Sequence, residues 1–111
     1  PVTPSACAAP SDAVVREIEA KKAEMESLRG QFERMKSELD KESESIETDK
    51  RYADDDEKIA LLNERIRAFN EKVRSMKRIE QDAKAKEKAM ESLVNEYNRT
   101  LQMYNECRAS H

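Results

Sequence analysis

Apolar side chains recur every seven residues along most of this chain, and that spacing restricts the fold to paired helices. Seven-residue steps back from Tyr104 reach only apolar or aromatic side chains as far as Leu62. A second row, offset by three residues, ends at Leu101 and is polar only at Glu80 and Glu87. An apolar stripe about two positions wide in every seven is the seam along which one coiled-coil helix packs against another.

The first half of the chain carries a stripe of the same kind. Its companion row is interrupted at Lys21 and Glu42. Extending the main row forward reaches Ala53 and Ala60, whereas the second half uses Ile59, so the two stripes are out of phase. A break between two helices is therefore expected. The main row consists of Ile18, Met25, Phe32, Leu39 and Ile46.

Capping residues set the limits of the two helices. Ser11 and Asp12 are N-cap candidates that follow a start containing all three prolines of the chain. Three consecutive aspartates at 54–56 supply a second N-cap and negative charge, which a helix N-terminus favours. The sequence predicts an extended segment over 1–11 and one helical domain over 12–111, with a helix over about 12–50, a turn over about 50–54 and a helix over about 54–107.

The acidic run has a second interpretation, a metal site. Calcium loops place their ligands at alternate positions and use a glycine for the sharp turn. The run from Asp54 to Glu57 has neither feature. We therefore predict helix capping at this cluster, and no metal.

Folding the second helix back on the first brings together residues whose numbers add up to about 105. Ile46 then meets Ile59, and Lys21 falls between Glu80 and Glu87. The interruptions of the two stripes coincide there, and a Lys–Glu contact would fix the register and the antiparallel direction. We predict an all-α fold, a two-helix antiparallel coiled-coil hairpin, with Lys21, Glu80 and Glu87 forming the register-setting polar contact. Dimerisation into a four-helix bundle is an open alternative.

The hairpin brings the two cysteines together. A disulfide between Cys7 and Cys107 would close a loop of about 100 residues and stabilise the fold by up to about 4–5 kcal/mol in the chain-entropy model. A disulfide implies an oxidising compartment, so we expect a periplasmic or extracellular protein. The chain starts at Pro1 without a methionine, which suggests that an export signal has been removed. Alternatives are two cytosolic thiols or a lipid attached to Cys7.

The residues for enzyme chemistry are sparse. The single histidine is His111, and no glycine-rich phosphate loop exists. We expect a pair of helices to lack a concavity that excludes water, and we predict no catalytic residue, metal or cofactor. Acidic and basic residues are finely mixed without a basic stripe, and the net charge is −3, which argues against nucleic-acid binding. No apolar run approaches the roughly 18 residues of a membrane span.

These observations lead to a non-enzymatic protein that binds another protein as an adaptor, an inhibitor or an assembly subunit. A holdase-like chaperone that uses five methionines is one alternative. A coiled-coil spacer that forms a homodimer through Ile79 and Leu93 is another. Asn98 begins a glycosylation sequon, which matters only in a eukaryotic secretory protein. The candidate surface contacts are Ile79, Leu93 and Met103.

Overall fold

Two long helices account for nearly all of the chain that the structure describes. The structure is a computed structural model, and it describes residues 7–110. Helix α1 spans Asp12–Lys50 and helix α2 spans Asp56–Ala109, and residues 7–110 contain no strand. The helices pack against each other as a hairpin, which confirms the predicted fold class and places all four helix ends within two residues of prediction.

Residues 7–110 divide into two compact units. Unit 1 contains the residues up to Glu26 together with those from Lys84 onward, and unit 2 is Ser27–Ala83. Residues 7–11 lie outside the helices, as predicted for the start of the chain. The prediction of an extended segment over residues 1–6 falls outside the described residues. The single-domain interpretation stays a prediction.

Each helix is preceded by a residue of the type expected at an N-cap. The Ser11 hydroxyl accepts a hydrogen bond from the backbone N–H of Ala13 at 3.2 Å. Asp55 Oδ1 accepts one from the backbone N–H of Lys58 at 2.8 Å. A side chain that satisfies one of the first N–H groups of a helix stabilises the helix by about 1 kcal/mol. The predicted capping role of the aspartate run is confirmed at Asp55.

Helix α1 ends without a left-handed residue. The backbone N–H groups of Arg51 and Tyr52 donate to the carbonyls of Thr48 and Asp49, both at 3.1 Å. Bonds to the third preceding residue tighten a last helical turn and satisfy carbonyls that would otherwise have no partner. No residue in 7–110 has positive φ, so the connector over 51–55 needs no glycine.

The core of unit 2 corrects the predicted register. Ile46 is buried, but Ile59 is 44% exposed, so the predicted pairing of these two residues is wrong. Leu62, nearly one turn later in α2, supplies the buried side chain instead. The contacts of Arg65 indicate the same shift in register. Its guanidinium bonds to Glu42 and to residues nearer the turn, whereas the predicted register places Arg65 opposite residue 40. Helix α2 begins two residues later than predicted, so residues further along α2 face α1. The buried side chains of unit 2 are Leu39, Ile46, Leu62 and Ala83.

Unit 1 has a smaller core and a covalent bond. Among its described residues, only Cys7 and Met25 are buried. Cys7 and Cys107 form a disulfide with their Cα atoms 5.8 Å apart, across 100 residues of sequence. The predicted disulfide is therefore confirmed. Because two buried side chains contribute little free energy, the disulfide supplies much of the stability of this unit.

An ion pair also joins the two helices within unit 1. Lys86 Nζ lies 2.9 Å from Glu24 Oε2. The hydrogen bond from Lys86 lowers the pKa of the Glu24 carboxyl, and the charges of Lys86 and Lys21 lower it further. A carboxyl whose pKa is lower in the folded state stabilises the fold above its unfolded pKa. That stabilisation is lost as the pH falls through the folded pKa. The pair is exposed, so its contribution is small.

The corrected register predicts opposite outcomes for two neighbouring truncations in α2. Leu62→Ala removes a buried side chain, and we expect it to lower the free energy of unfolding by about 2–3 kcal/mol. Ile59→Ala removes a side chain that is 44% exposed, so the expected loss is less than about 1 kcal/mol. Urea unfolding followed by circular dichroism measures both. A larger loss for Ile59→Ala would restore the register predicted from the sequence.

Reduction of the disulfide is expected to loosen unit 1 selectively. Amide hydrogen exchange measured by mass spectrometry should accelerate in peptides from residues 12–26 and 84–107, while peptides from unit 2 keep their protection. Removing a native disulfide typically costs about 2–5 kcal/mol in a small domain. A Cys7→Ser, Cys107→Ser double variant should show the reduced pattern with or without reductant. Equal acceleration in both units would contradict this assignment.

Candidate functional site at the hairpin tip

Exposed apolar side chains are concentrated where the chain reverses. Four large apolar residues of the described chain are well exposed, and three of them lie within ten residues: Tyr52 at 71%, Ile59 at 44% and Leu61 at 57%. We call these three residues the tip cluster. Exposed apolar side chains that are concentrated in one stretch of a protein are a recurrent property of contact surfaces, so this stretch is the candidate site.

The sequence explains why Leu61 is exposed. Successive residues of a helix are rotated by about 100°, so Leu61 and Leu62 cannot both face α1. Leu62 is buried in the seam, which turns Leu61 toward solvent. Tyr52 lies in the connector, beyond the last residue of α1. Neither α1 nor α2 covers the exposed sides of these two side chains.

A recess of about 380 Å³ opens within this region. The connector and the first turns of α2 together border this hollow, which the heptad pattern does not predict. Tyr52 and Leu61 are both exposed, so the recess does not exclude water as an active site would. Its apolar lining comes from Tyr52, Ala53, Leu61 and Leu62, and its polar lining from Asp49, Lys58 and Arg65.

Arg65, in α2, forms hydrogen bonds to the last part of α1 beside the recess. Its guanidinium bonds to the Asp49 carboxylate, to the Ser45 hydroxyl at 2.9 Å and to Glu42 Oε1 at 3.3 Å. The hydrogen bond to Asp49 is the main cause that raises the pKa of Arg65, with Glu42 adding to it. The planar fork of a guanidinium can bond to several acceptors at once, which a lysine ammonium does less well. Arg65 therefore holds the end of α1 against the first turns of α2.

The charges around the tip cluster are mostly negative. Residues 42–65, which the Arg65–Glu42 pair closes, contain nine carboxylates and four cationic side chains. The rest of the chain contains fifteen carboxylates and seventeen cationic side chains. The acidic excess of this protein is thus located at the tip.

The predicted disulfide between Cys7 and Cys107 is confirmed, and the other predicted site residues differ in exposure. Ile79 and Leu93 are half-buried, while Met103 is 63% exposed. Lys21 is half-buried, and its charge acts on the Glu24 carboxyl. The contact of Lys21 with Glu80 and Glu87 stays a prediction.

The heptad stripe does not predict the tip cluster. Tyr52 stands in the connector, where the heptad pattern has no position for it. Leu61 is a large apolar residue outside both rows, next to Leu62 in the main row. Adjacent large apolar residues on a helix that pairs with one partner would have been the signal, because only one of them can enter the seam.

The described chain lacks a metal cluster and a membrane-spanning helix. Residues 7–110 contain no group of three or more His, Cys, Asp or Glu side chains placed to hold a metal ion. Neither helix of this part has a stretch that is long and apolar enough to cross a membrane. Comparison with protein-family models, with curated proteins and with solved structures finds no match to this chain.

The role of Arg65 predicts a difference between two lysine substitutions in α2. Arg65→Lys keeps the charge but loses the fork, and we expect a lower urea midpoint and faster amide exchange over residues 45–55. The loss should shrink at high salt, because exposed ion pairs are screened. Arg67→Lys, two residues away on an exposed position, is the matched control and should leave both measurements unchanged. Equal effects of the two substitutions would refute the positioning role.

Proposed function

We propose that this chain is a non-enzymatic helical hairpin, exported to an oxidising compartment, that binds another protein through its tip cluster. The observation that carries the proposal is the concentration of exposed apolar side chains at residues 52–61. Tyrosine and large aliphatic side chains that are exposed beside a recess and surrounded by charges have the composition of a protein contact: an apolar centre with a polar rim. The Cys7–Cys107 disulfide supports the oxidising compartment.

The proposed protein partner suits this geometry better than a small molecule does. A small-molecule site buries most of its ligand and presents a few convergent polar groups. Here the polar groups beside the recess already bond to one another, since Lys58 is paired with Asp54 and Arg65 with Asp49. The tip instead presents the exposed apolar side chains of Tyr52, Ile59 and Leu61, which suits an adaptor, an inhibitor or an assembly subunit.

The two alternatives have weaker support. A holdase would expose its methionines, but Met25 is buried and Met35, Met76 and Met90 are half-buried, which leaves Met103 as the exposed one. A homodimeric spacer would pair through Ile79 and Leu93. Both of these side chains are already half-buried within the monomer, which leaves less apolar area for a second copy.

Site-specific photo-crosslinking tests the proposal. A photoreactive amino acid replaces Leu61 in the oxidised protein. A second variant carries it at Met103, which is exposed to a similar degree but lies in unit 1. After irradiation in an envelope extract of the source cell, we expect a covalent adduct of defined mass from position 61 alone. Unlabelled wild-type protein should compete for this adduct, whereas a Tyr52→Ser, Leu61→Ser variant should not. Adducts from both positions, or from neither, would count against the proposal.

A further inference from the structure

We infer that the tip cluster docks a short cationic segment of the partner protein, in which a large apolar side chain is flanked by lysine or arginine. This inference rests on the proposed function and adds the chemistry of the partner. Three features carry it: the sign of the charge at the tip, the pairing of the tip's own cations, and the small extent of the apolar surface.

The charge excess is larger than helix capping requires. Asp55 caps α2, and Asp56 and Glu57 lie in its first turn, where the macrodipole favours negative charge. That effect accounts for three carboxylates out of the nine in residues 42–65. Four of the others pair with cations of this segment, and nine carboxylates against four cations leave a negative excess that sets the sign of the local field. Such a field attracts a cationic partner and speeds its association.

Three of the four cations in residues 42–65 are already paired within the hairpin. Lys50 pairs with Glu47 at 3.0 Å and Lys58 with Asp54 at 2.9 Å. Arg65 is held by Glu42 and Asp49. These positive charges are neutralised locally, so they do not oppose an incoming cation. Asp56 and Glu57 are exposed, and Ile59 of the tip cluster follows within one helical turn.

The size of the tip favours a segment over a folded face. Stable interfaces between globular proteins bury roughly 800 Å² on each partner. Three exposed side chains and a recess of about 380 Å³ provide less than that. They suffice for one or two apolar anchors of a short segment, with the surrounding carboxylates binding its basic residues.

A second copy of this chain is a poor occupant of the tip. A two-fold symmetric pair brings the same surface of each copy together. Two tips would then place nine carboxylates against nine, with four cations on each side. Like charges in contact disfavour association, whereas a basic segment supplies the opposite sign.

Selection from a library of short random displayed peptides tests the inference without knowledge of the partner. The oxidised wild-type protein is the target, and the Tyr52→Ser, Leu61→Ser variant serves for counter-selection. We expect the surviving peptides to combine net positive charge with at least one aromatic or large aliphatic residue. Synthetic versions should bind the tip variant roughly tenfold or more weakly than wild type, as for loss of an anchoring contact.

Charge variants provide the second measurement. Asp56→Asn with Glu57→Gln should weaken the selected peptides severalfold at low salt, and the difference should shrink at high salt. Glu91→Gln and Met103→Ser, on exposed positions in unit 1, are the matched controls and should leave binding unchanged. Circular dichroism checks that each variant keeps its helix content.

Each remaining outcome is decisive. Neutral or acidic tip-dependent peptides, or none at all, would overturn the inferred chemistry, and a position-61 adduct would still support the proposed function. Absence of that adduct would instead refute the proposed function, the binding of a partner protein through the tip cluster. Self-association that disappears in the Tyr52→Ser, Leu61→Ser variant, measured by sedimentation, would identify a second copy as the occupant and overturn the inference.

Discussion

The apolar seam between two amphipathic helices is the interaction on which the rest of this molecule depends. A seam two positions wide in seven buries few side chains, and only six residues of 7–110 are buried. Such a core supplies a modest free energy against the conformational entropy of ordering long helices. The chain therefore relies on other constraints at its ends: N-caps at both helix starts, an arginine fork beside the turn and a disulfide between Cys7 and Cys107.

The two units are stabilised in different ways, because they bury different numbers of large side chains. Unit 2 contains Leu39, Ile46 and Leu62, which are large aliphatic residues of the stripe. The described residues of unit 1 bury only Cys7 and Met25. A covalent bond stabilises the unit whose packing is poorer, and it acts mainly by restricting the unfolded chain. A small core and a disulfide are the usual combination in small domains of oxidising compartments.

Much of the fold could be predicted from spacing, and most of the candidate site could not. The seven-residue repeat predicted the two helices, because a long amphipathic helix buries its apolar stripe by packing it against the apolar stripe of a second helix. The pairing of Ile46 with Ile59 was wrong because register depends on the length of the connector, and that length depends on which aspartate caps α2. The exposure of Tyr52 and Leu61 follows from the same register, so it could not be predicted before Leu62 was known to enter the seam.

The connector over 51–55 has a consequence for how this protein can change. Its path is fixed by backbone hydrogen bonds of the last turn of α1 and by the cap at Asp55, and no residue there needs the backbone freedom of glycine. Side chains at positions such as Tyr52 are therefore replaceable without strain in the chain that displays them. Such a hairpin is suited to diversification by evolution or protein engineering. Side chains of the connector can be exchanged to change what the tip recognises, while the apolar seam and the disulfide are kept.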